Sequence, residues 1–287
     1  MSADRSPLAA PYAIPTRIAA AVAVAAALVH LAWRVTSTWQ GADPFLFLLV
    51  LAAEVLVVGR LATRHLLMAA SRRHSVPART TPHEAEVILL AGNESALQFR
   101  MALLSVLAAP HVGRVRVLDV YRREDVAAHC ERLGVARSAA DGWTTGGQIL
   151  AELIADTRAP LLALVPASAA ATPDLVRRAG GLFTEPRVGV VTATNPVVAH
   201  TGLLGGEGYP LTSDQDTRFV RGLDSLDVTL PLDGPVLLRT DLATTLPTPA
   251  GPRPEIDLAL TAWERGWRVR VAPVPGALRR PPWSEGQ

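Results

Sequence analysis

Two long apolar runs open the chain, and shorter apolar runs alternating with helical patterns fill the rest. The first run covers Ile18 to Trp33 and extends to about Trp39; the second covers Pro44 to Leu61, with softer continuation to Met68. Each approaches the roughly 20 residues with which a helix crosses a bilayer. The first is too long for a signal-peptide core and is followed closely by the second. This pattern predicts a two-helix transmembrane hairpin over 17–68, after a disordered tail at 1–16. A pair of buried helices in a soluble protein is the alternative. Arg5 and Arg17 precede the first run, and Arg60, Arg64, Arg72, Arg73 and Arg79 follow the second; Ser37 to Asp43 carries no positive charge. The positive-inside rule then places both termini in the cytoplasm of a two-span protein of the cell membrane. Glu54 interrupts the second run, which implies either a packing or partner contact within the membrane or a protonated, locally bonded side chain.

Residues 69–83, rich in Arg, Ser, Pro and His, read as a juxtamembrane linker. After them the periodicity switches. Strands are predicted at Glu86–Ala91, Arg114–Asp119, Leu161–Val165, Val188–Thr192, Gly234–Arg239 and Arg268–Val271. Helices are predicted at Glu94–Leu107, Glu124–Leu133, Gln148–Asp156, Pro173–Ala179 and Glu255–Arg265. Such alternation gives an α/β layered domain with a mostly parallel sheet over 84–277, leaving a tail at 278–287. Ligands of such sheets sit beyond the carboxyl ends of the strands, so those ends are where chemistry is sought.

Composition changes this picture little. All 28 basic residues are arginine and the formal net charge is only +2, with no arginine stretch interleaved with aromatics, which argues against a nucleic-acid partner. A mean hydropathy of +0.24 leans away from a purely soluble protein. The one cysteine, Cys130, excludes an intramolecular disulfide and any cysteine-based metal site, and its place in an amphipathic helix reads as a buried structural thiol.

The strand Leu161–Val165, the residues Pro166-Ala167-Ser168, then Pro173-Asp174-Leu175-Val176-Arg177-Arg178 and Glu185-Pro186-Arg187-Val188-Gly189-Val190-Val191 form a frame. This frame resembles the cellulose-synthase-like branch of the family 2 glycosyltransferases, in truncated form, from roughly Ile18 to Ala277. The resemblance implies a GT-A-like, Rossmann-like fold, a nucleotide-sugar donor, and a divalent metal on an Asp-x-Asp pair. Counting back from Pro173-Asp174, that pair falls on Pro166 and Ser168, so the expected metal ligands are missing and no metal site is predicted. Asp214-Gln215-Asp216 has the right spacing but lies in a polar, loop-like stretch.

The other strand ends keep part of the family pattern. Asn93 and Glu94 match the end of Pro-Thr-Tyr-Asn-Glu; they serve either a nucleotide or simply the start of the next helix. Asp119 matches the first acid of Leu-Asp-Asp-Gly-Arg-Arg, implied to contact base and ribose, with Val120 and Tyr121 replacing the next two residues; it equally suits a turn. The phosphate-side lysine falls on Thr145, and Gly146-Gly147 offers either a plain loop or a backbone phosphate cradle. Glu255 takes the place of the general base, set by the register of Gly266-Trp267-Arg268; alternatively Pro254 and Glu255 merely open a helix. Pro231-Leu232-Asp233 replaces the acceptor-side Cys-Gly-Thr, the Gln-x-x-Arg-Trp motif is absent and Trp283 does not reproduce it, and the later membrane helices are missing.

The resulting expectation is a membrane-anchored, catalytically degenerate transferase acting with a polysaccharide synthase or other membrane partner in cell-envelope polysaccharide or glycolipid synthesis. An active inverting transferase using Asp119 and Glu255 is one alternative. A membrane interaction protein that binds no nucleotide is the other.

Overall fold

A computed structural model describes residues 13–37, 44–70, 84–193, 223–224, 234–249, 251–272 and 277–278. The chain divides into two compact units.

One unit holds the helices α1 (Ala13–Ser37) and α2 (Pro44–Ala70). Both form where helices were expected, but the transmembrane assignment is corrected: among the described residues no helix is long and apolar enough to cross a membrane. Interruption is the reason. The unbroken apolar stretch of α1 runs only from Ile18 to Val29 before His30 and Arg34, and that of α2 only from Phe45 to Ala53 before Glu54, each well short of about 20 residues. Glu54 is not isolated in its helix, because Arg34 Nε on α1 donates to its Oε2 at 3.3 Å. Many aliphatic side chains of both helices are exposed, among them Val29, Leu46 and Leu56.

The other unit is built on a seven-stranded sheet. Its strands are β1 (Ala85–Ala91), β2 (Val112–Asp119), β3 (Ala136–Ala139), β4 (Leu161–Pro166), β6 (Val188–Thr192), β7 (Val236–Arg239) and β8 (Arg268–Val271). They lie in the order β3-β2-β1-β4-β7-β6-β8, all parallel except β7, which is antiparallel to both neighbours. Two short strands, β5 (Ala170–Ala171) and β9 (Ala277–Leu278), pair antiparallel just after β4.

The strands read as continuous apolar runs because both sheet faces are covered. Along β1 the period-2 alternation sends Val87, Leu89 and Ala91 into one core, and Ile88 and Leu90 into the other. The first core is closed by α3 (Ala96–Leu107), α4 (Glu124–Leu133) and α6 (Leu175–Gly180) through Phe99, Leu103, Val126, Cys130 and Val176. The second is closed by α5 (Trp143–Ala155), α7 (Thr240–Ala243) and α8 (Pro254–Glu264) through Leu150, Ile154, Leu242 and Leu258. Burial pushes the Cys130 thiol up to about 11, as expected of a structural thiol in this packing.

A charged network lies buried at the opposite end from the candidate site. Arg116 on β2 is 2% exposed and donates from Nη2 to Glu86 Oε2 at 3.0 Å and to Thr157 Oγ1 at 2.7 Å. Glu86 Oε1 takes the backbone N–H groups of Arg158 and Ala159, at 2.9 and 3.2 Å. The pair therefore anchors the connection from α5 into β4.

Candidate functional site

The topology brings the sequence-predicted residues to one edge. β1, β2 and β4 run parallel, so Ala91, Asp119 and Pro166 end side by side; Ala91 pairs with Asp119, and Leu90 with Pro166. α8 precedes β8, which runs in the same direction, so its first residues, Pro254 and Glu255, also start from this carboxyl edge. Such an edge is where α/β sheets bind ligands.

At the end of β1, Asn93 is exposed, and Glu94 is turned back onto its own loop. Glu94 Oε2 accepts the Gly92 N–H at 2.9 Å, and Oε1 accepts Arg123 Nη1 at 3.0 Å. Neither residue opens the following helix. Ser95 does, its hydroxyl accepting the Gln98 N–H while Gln98 returns to the Ser95 N–H in a capping box. Arg123 also donates to the Gly92 carbonyl and grips Asp125 through Nε at 3.1 Å and Nη2 at 2.6 Å. Burial pushes the Glu94 carboxyl above its ordinary value, against the pull of its backbone hydrogen bonds and of Arg123. Hydrogen bonding to Arg123 holds Asp125 below its own.

At the end of β2, Asp119 is fully buried. Its Oδ2 accepts both Nε and Nη2 of Arg137, at 3.0 and 2.8 Å, and its Oδ1 accepts the Tyr121 N–H at 3.3 Å. Tyr121 itself is exposed, and Arg122 adopts a left-handed φ of 51° in the turn that follows.

The Thr144–Gln148 segment is helix rather than loop. α5 starts at Trp143, five residues before the predicted start, behind an N-cap Gly142 at φ 91°. The two glycines are packing positions: a Cβ at Gly146 would meet Val120 and Ala140 at ordinary distances, whereas one at Gly147 would lie 2.1 Å from the Pro249 carbonyl oxygen. Close passage of the 247–249 segment explains Gly147 without a phosphate.

At the end of β4, the donor set does not fit a divalent metal. Pro166 offers no side-chain ligand, Ala167 is buried with its N–H on the Leu90 carbonyl at 2.9 Å, and Ser168 supplies one hydroxyl. A hard cation on a diphosphate needs several anionic or carbonyl oxygens. Among the described residues no group of three or more His, Cys, Asp or Glu is arranged to hold a metal ion. Asp214, Asp216, Trp283 and the Pro231–Asp233 replacement lie outside the described residues.

Glu255 is 2% exposed in the first turn of α8, and Arg253 Nε donates to its Oε1 at 2.6 Å. Pro254 occupies the first helical turn, so both residues satisfy the helix-start pattern. The structure thus gathers Asn93, Glu94, Asp119 and Glu255 at one edge and pairs each of the three acids with an arginine. Sequence reasoning missed Arg123, Arg137 and Arg253 as partners. The local signals were Arg253 two residues before Glu255 and Arg123 two residues before Asp125.

No protein-family model matches the chain, and no curated protein sequence matches it. Solved structures do. A mannosyltransferase from Pyrobaculum calidifontis in complex with GDP-Man and Mn2+ is 13% identical with a TM-score of 0.60, over 82% of this chain and 68% of that one. Glucosyl-3-phosphoglycerate synthase from Mycobacterium tuberculosis, in complex with Mn2+, UDP-glucose and phosphoglyceric acid, is 20% identical over 71% of this chain and 74% of that one, with a TM-score of 0.48. The first likeness shows the fold: the α/β unit has the GT-A glycosyltransferase architecture.

Proposed function

We propose that this protein is a family 2 glycosyltransferase-like protein of the cellulose-synthase-like type that has lost sugar transfer and acts as an accessory or regulatory partner in cell-envelope polysaccharide or glycolipid synthesis. One observation carries the reading. β4 reaches the edge where the diphosphate of a nucleotide-sugar would lie, and it delivers Pro166 and Ser168 in place of two carboxylates. The remaining acids are bound by arginines: Asp119 by Arg137, Glu94 by Arg123 and Glu255 by Arg253. Glu255 is buried and its Oε1 is held by the Arg253 guanidinium at 2.6 Å, so that oxygen is committed to an ion pair rather than offered to a sugar hydroxyl. The two sheet cores are nonetheless intact. Folding has been kept where chemistry has not.

The exposed aliphatic side chains of α1 and α2 support placement at the cell membrane or against a membrane-bound synthase, with the α/β unit on the cytoplasmic side; spanning helices are no part of this reading. The test is calorimetry and turnover with UDP- and GDP-sugars, with and without Mn2+. No Mn2+-dependent transfer or hydrolysis is expected. Metal-dependent turnover abolished by Asp214→Ala would instead establish that the alternative acidic pair serves.

A further inference from the structure

The pairing of Asp119 with Arg137 does more than close a turn. We infer that Arg137 is a preset, bidentate reader of a nucleobase, so that the unit selects a base presenting two adjacent acceptors rather than uracil. The inference rests on the reading of this edge as a GT-A nucleotide site and goes beyond it, since it requires that nucleotide binding persist.

The geometry is specific. Arg137 sits on β3 opposite Val117, and Asp119 sits opposite Ala139, so the two side chains share a sheet face two residues apart along the strand direction. The guanidinium therefore reaches toward the carboxyl edge to meet the Asp119 carboxylate. It uses Nε and one N–H of Nη2 there, both on Oδ2. A guanidinium has five N–H donors in a planar fork. Its other edge, formed by Nη1 and the second N–H of Nη2, is bonded to nothing among the described residues, while the side chain remains 25% exposed. Asp119 itself is out of reach of any ligand, being fully buried with both oxygens engaged. The group that meets a ligand at this strand end is thus a fork of donors, clamped in one orientation.

Base chemistry follows from that reversal. Reading uracil or thymine through N3–H requires an acceptor, which Asp119 no longer presents. Adenine pairs an acceptor with an amino donor on its N7 edge, which opposes a donor fork. Guanine O6 and N7 accept an arginine fork directly, and cytosine O2 and N3 form a comparable acceptor pair. The position favours a base over a phosphate. β2 and β3 lie one and two strands beyond β1, away from β4, and each strand adds about 4.8 Å.

The test is calorimetry on the full chain with GDP, CDP, UDP, ADP and pyrophosphate, without added metal. Binding of GDP or CDP about tenfold or more tighter than UDP and ADP is expected, as for a good bidentate contact. A GDP preference assigns guanine and a CDP preference cytosine. R137K keeps a cation beside Asp119 but removes the fork, and should lose that preference while unfolding near the wild-type temperature. R137Q, with its melting temperature followed in parallel, should lose it as well. UDP binding as tightly as GDP and CDP, pyrophosphate matching them, or R137K retaining the preference would each overturn the inference. Absence of all nucleotide binding would also overturn it, yet would leave the proposed loss of catalysis standing. Turnover of a nucleotide-sugar would do the reverse.

Discussion

Replacing Glu86 by alanine should be among the most damaging single changes in the α/β unit. The side chain accepts Arg116 Nη2 at 3.0 Å and two backbone N–H groups, from Arg158 and Ala159, at 2.9 and 3.2 Å. Without it, Arg116 stays charged and 2% exposed, with Thr157 at 2.7 Å and Asp156 at 3.4 Å as its remaining partners. Its Nε already has no partner among the described residues, and burial already holds its pKa below the ordinary value, partly offset by Glu86. Removing one member of a buried pair costs about 3–5 kcal/mol. For a unit of this size that lowers the melting temperature by roughly 10–15 °C. Urea unfolding followed by tryptophan fluorescence should show the midpoint falling with an unchanged slope. The double variant E86L/R116M, which removes both charges, should recover most of the loss, because apolar replacements of buried pairs are often neutral or stabilising. A loss under about 1 kcal/mol for E86A, or a double variant no better than the single, would refute the argument.

Further expectations concern the site edge. G147A should cost about 1–3 kcal/mol because its Cβ meets the Pro249 carbonyl, whereas G146A should be neutral or gain up to about 1 kcal/mol of helix propensity; equal tolerance of both in thermal melts would contradict the packing role. S95A should cost about 1 kcal/mol by removing the α3 capping box, read from the same melts. Asp125 and Asp174 have folded pKa values below their unfolded ones, through hydrogen bonds to Arg123 and Arg177. Their stabilisation is complete above the ordinary carboxylate range and is lost as pH falls through the depressed values. Glu94, raised by burial, has the opposite sign: its contribution is present below its unfolded value and is lost as pH rises through the raised one. R123A should therefore flatten the acid limb of a melting-temperature profile, and an unchanged limb would show that Arg123 is not the cause.

Much of the sheet was legible because its strands are buried on both faces. Val188–Thr192 and Arg268–Val271 fall where periodicity put them, as does the helix Glu124–Leu133. β3 was not legible: Ala136-Arg137-Ser138-Ala139 is a partly polar edge strand without alternation, held by pairing to β2. The start of α5 was misread because Thr144-Thr145-Gly146-Gly147 has loop propensity, and tertiary packing against Val120, Ala140 and Pro249 overrides it. The helix pair formed, but averaged hydropathy passed over His30, Arg34 and Glu54, which break the apolar runs. At the site, residue identity was readable and pairing was not. Arg137 reaches Asp119 across 18 positions and Arg123 reaches Glu94 across 29, distances that only the fold connects. The sequence register placed Pro166 and Ser168 at a strand end, and β4 does end there.

The central claim, that this GT-A edge no longer transfers sugar, is tested most directly by release of nucleoside diphosphate from UDP- and GDP-sugars in the presence of Mn2+. The account predicts release no faster for the protein than for buffer, and unchanged by Glu255→Gln. Mn2+-dependent release that Glu255→Gln abolishes would contradict it.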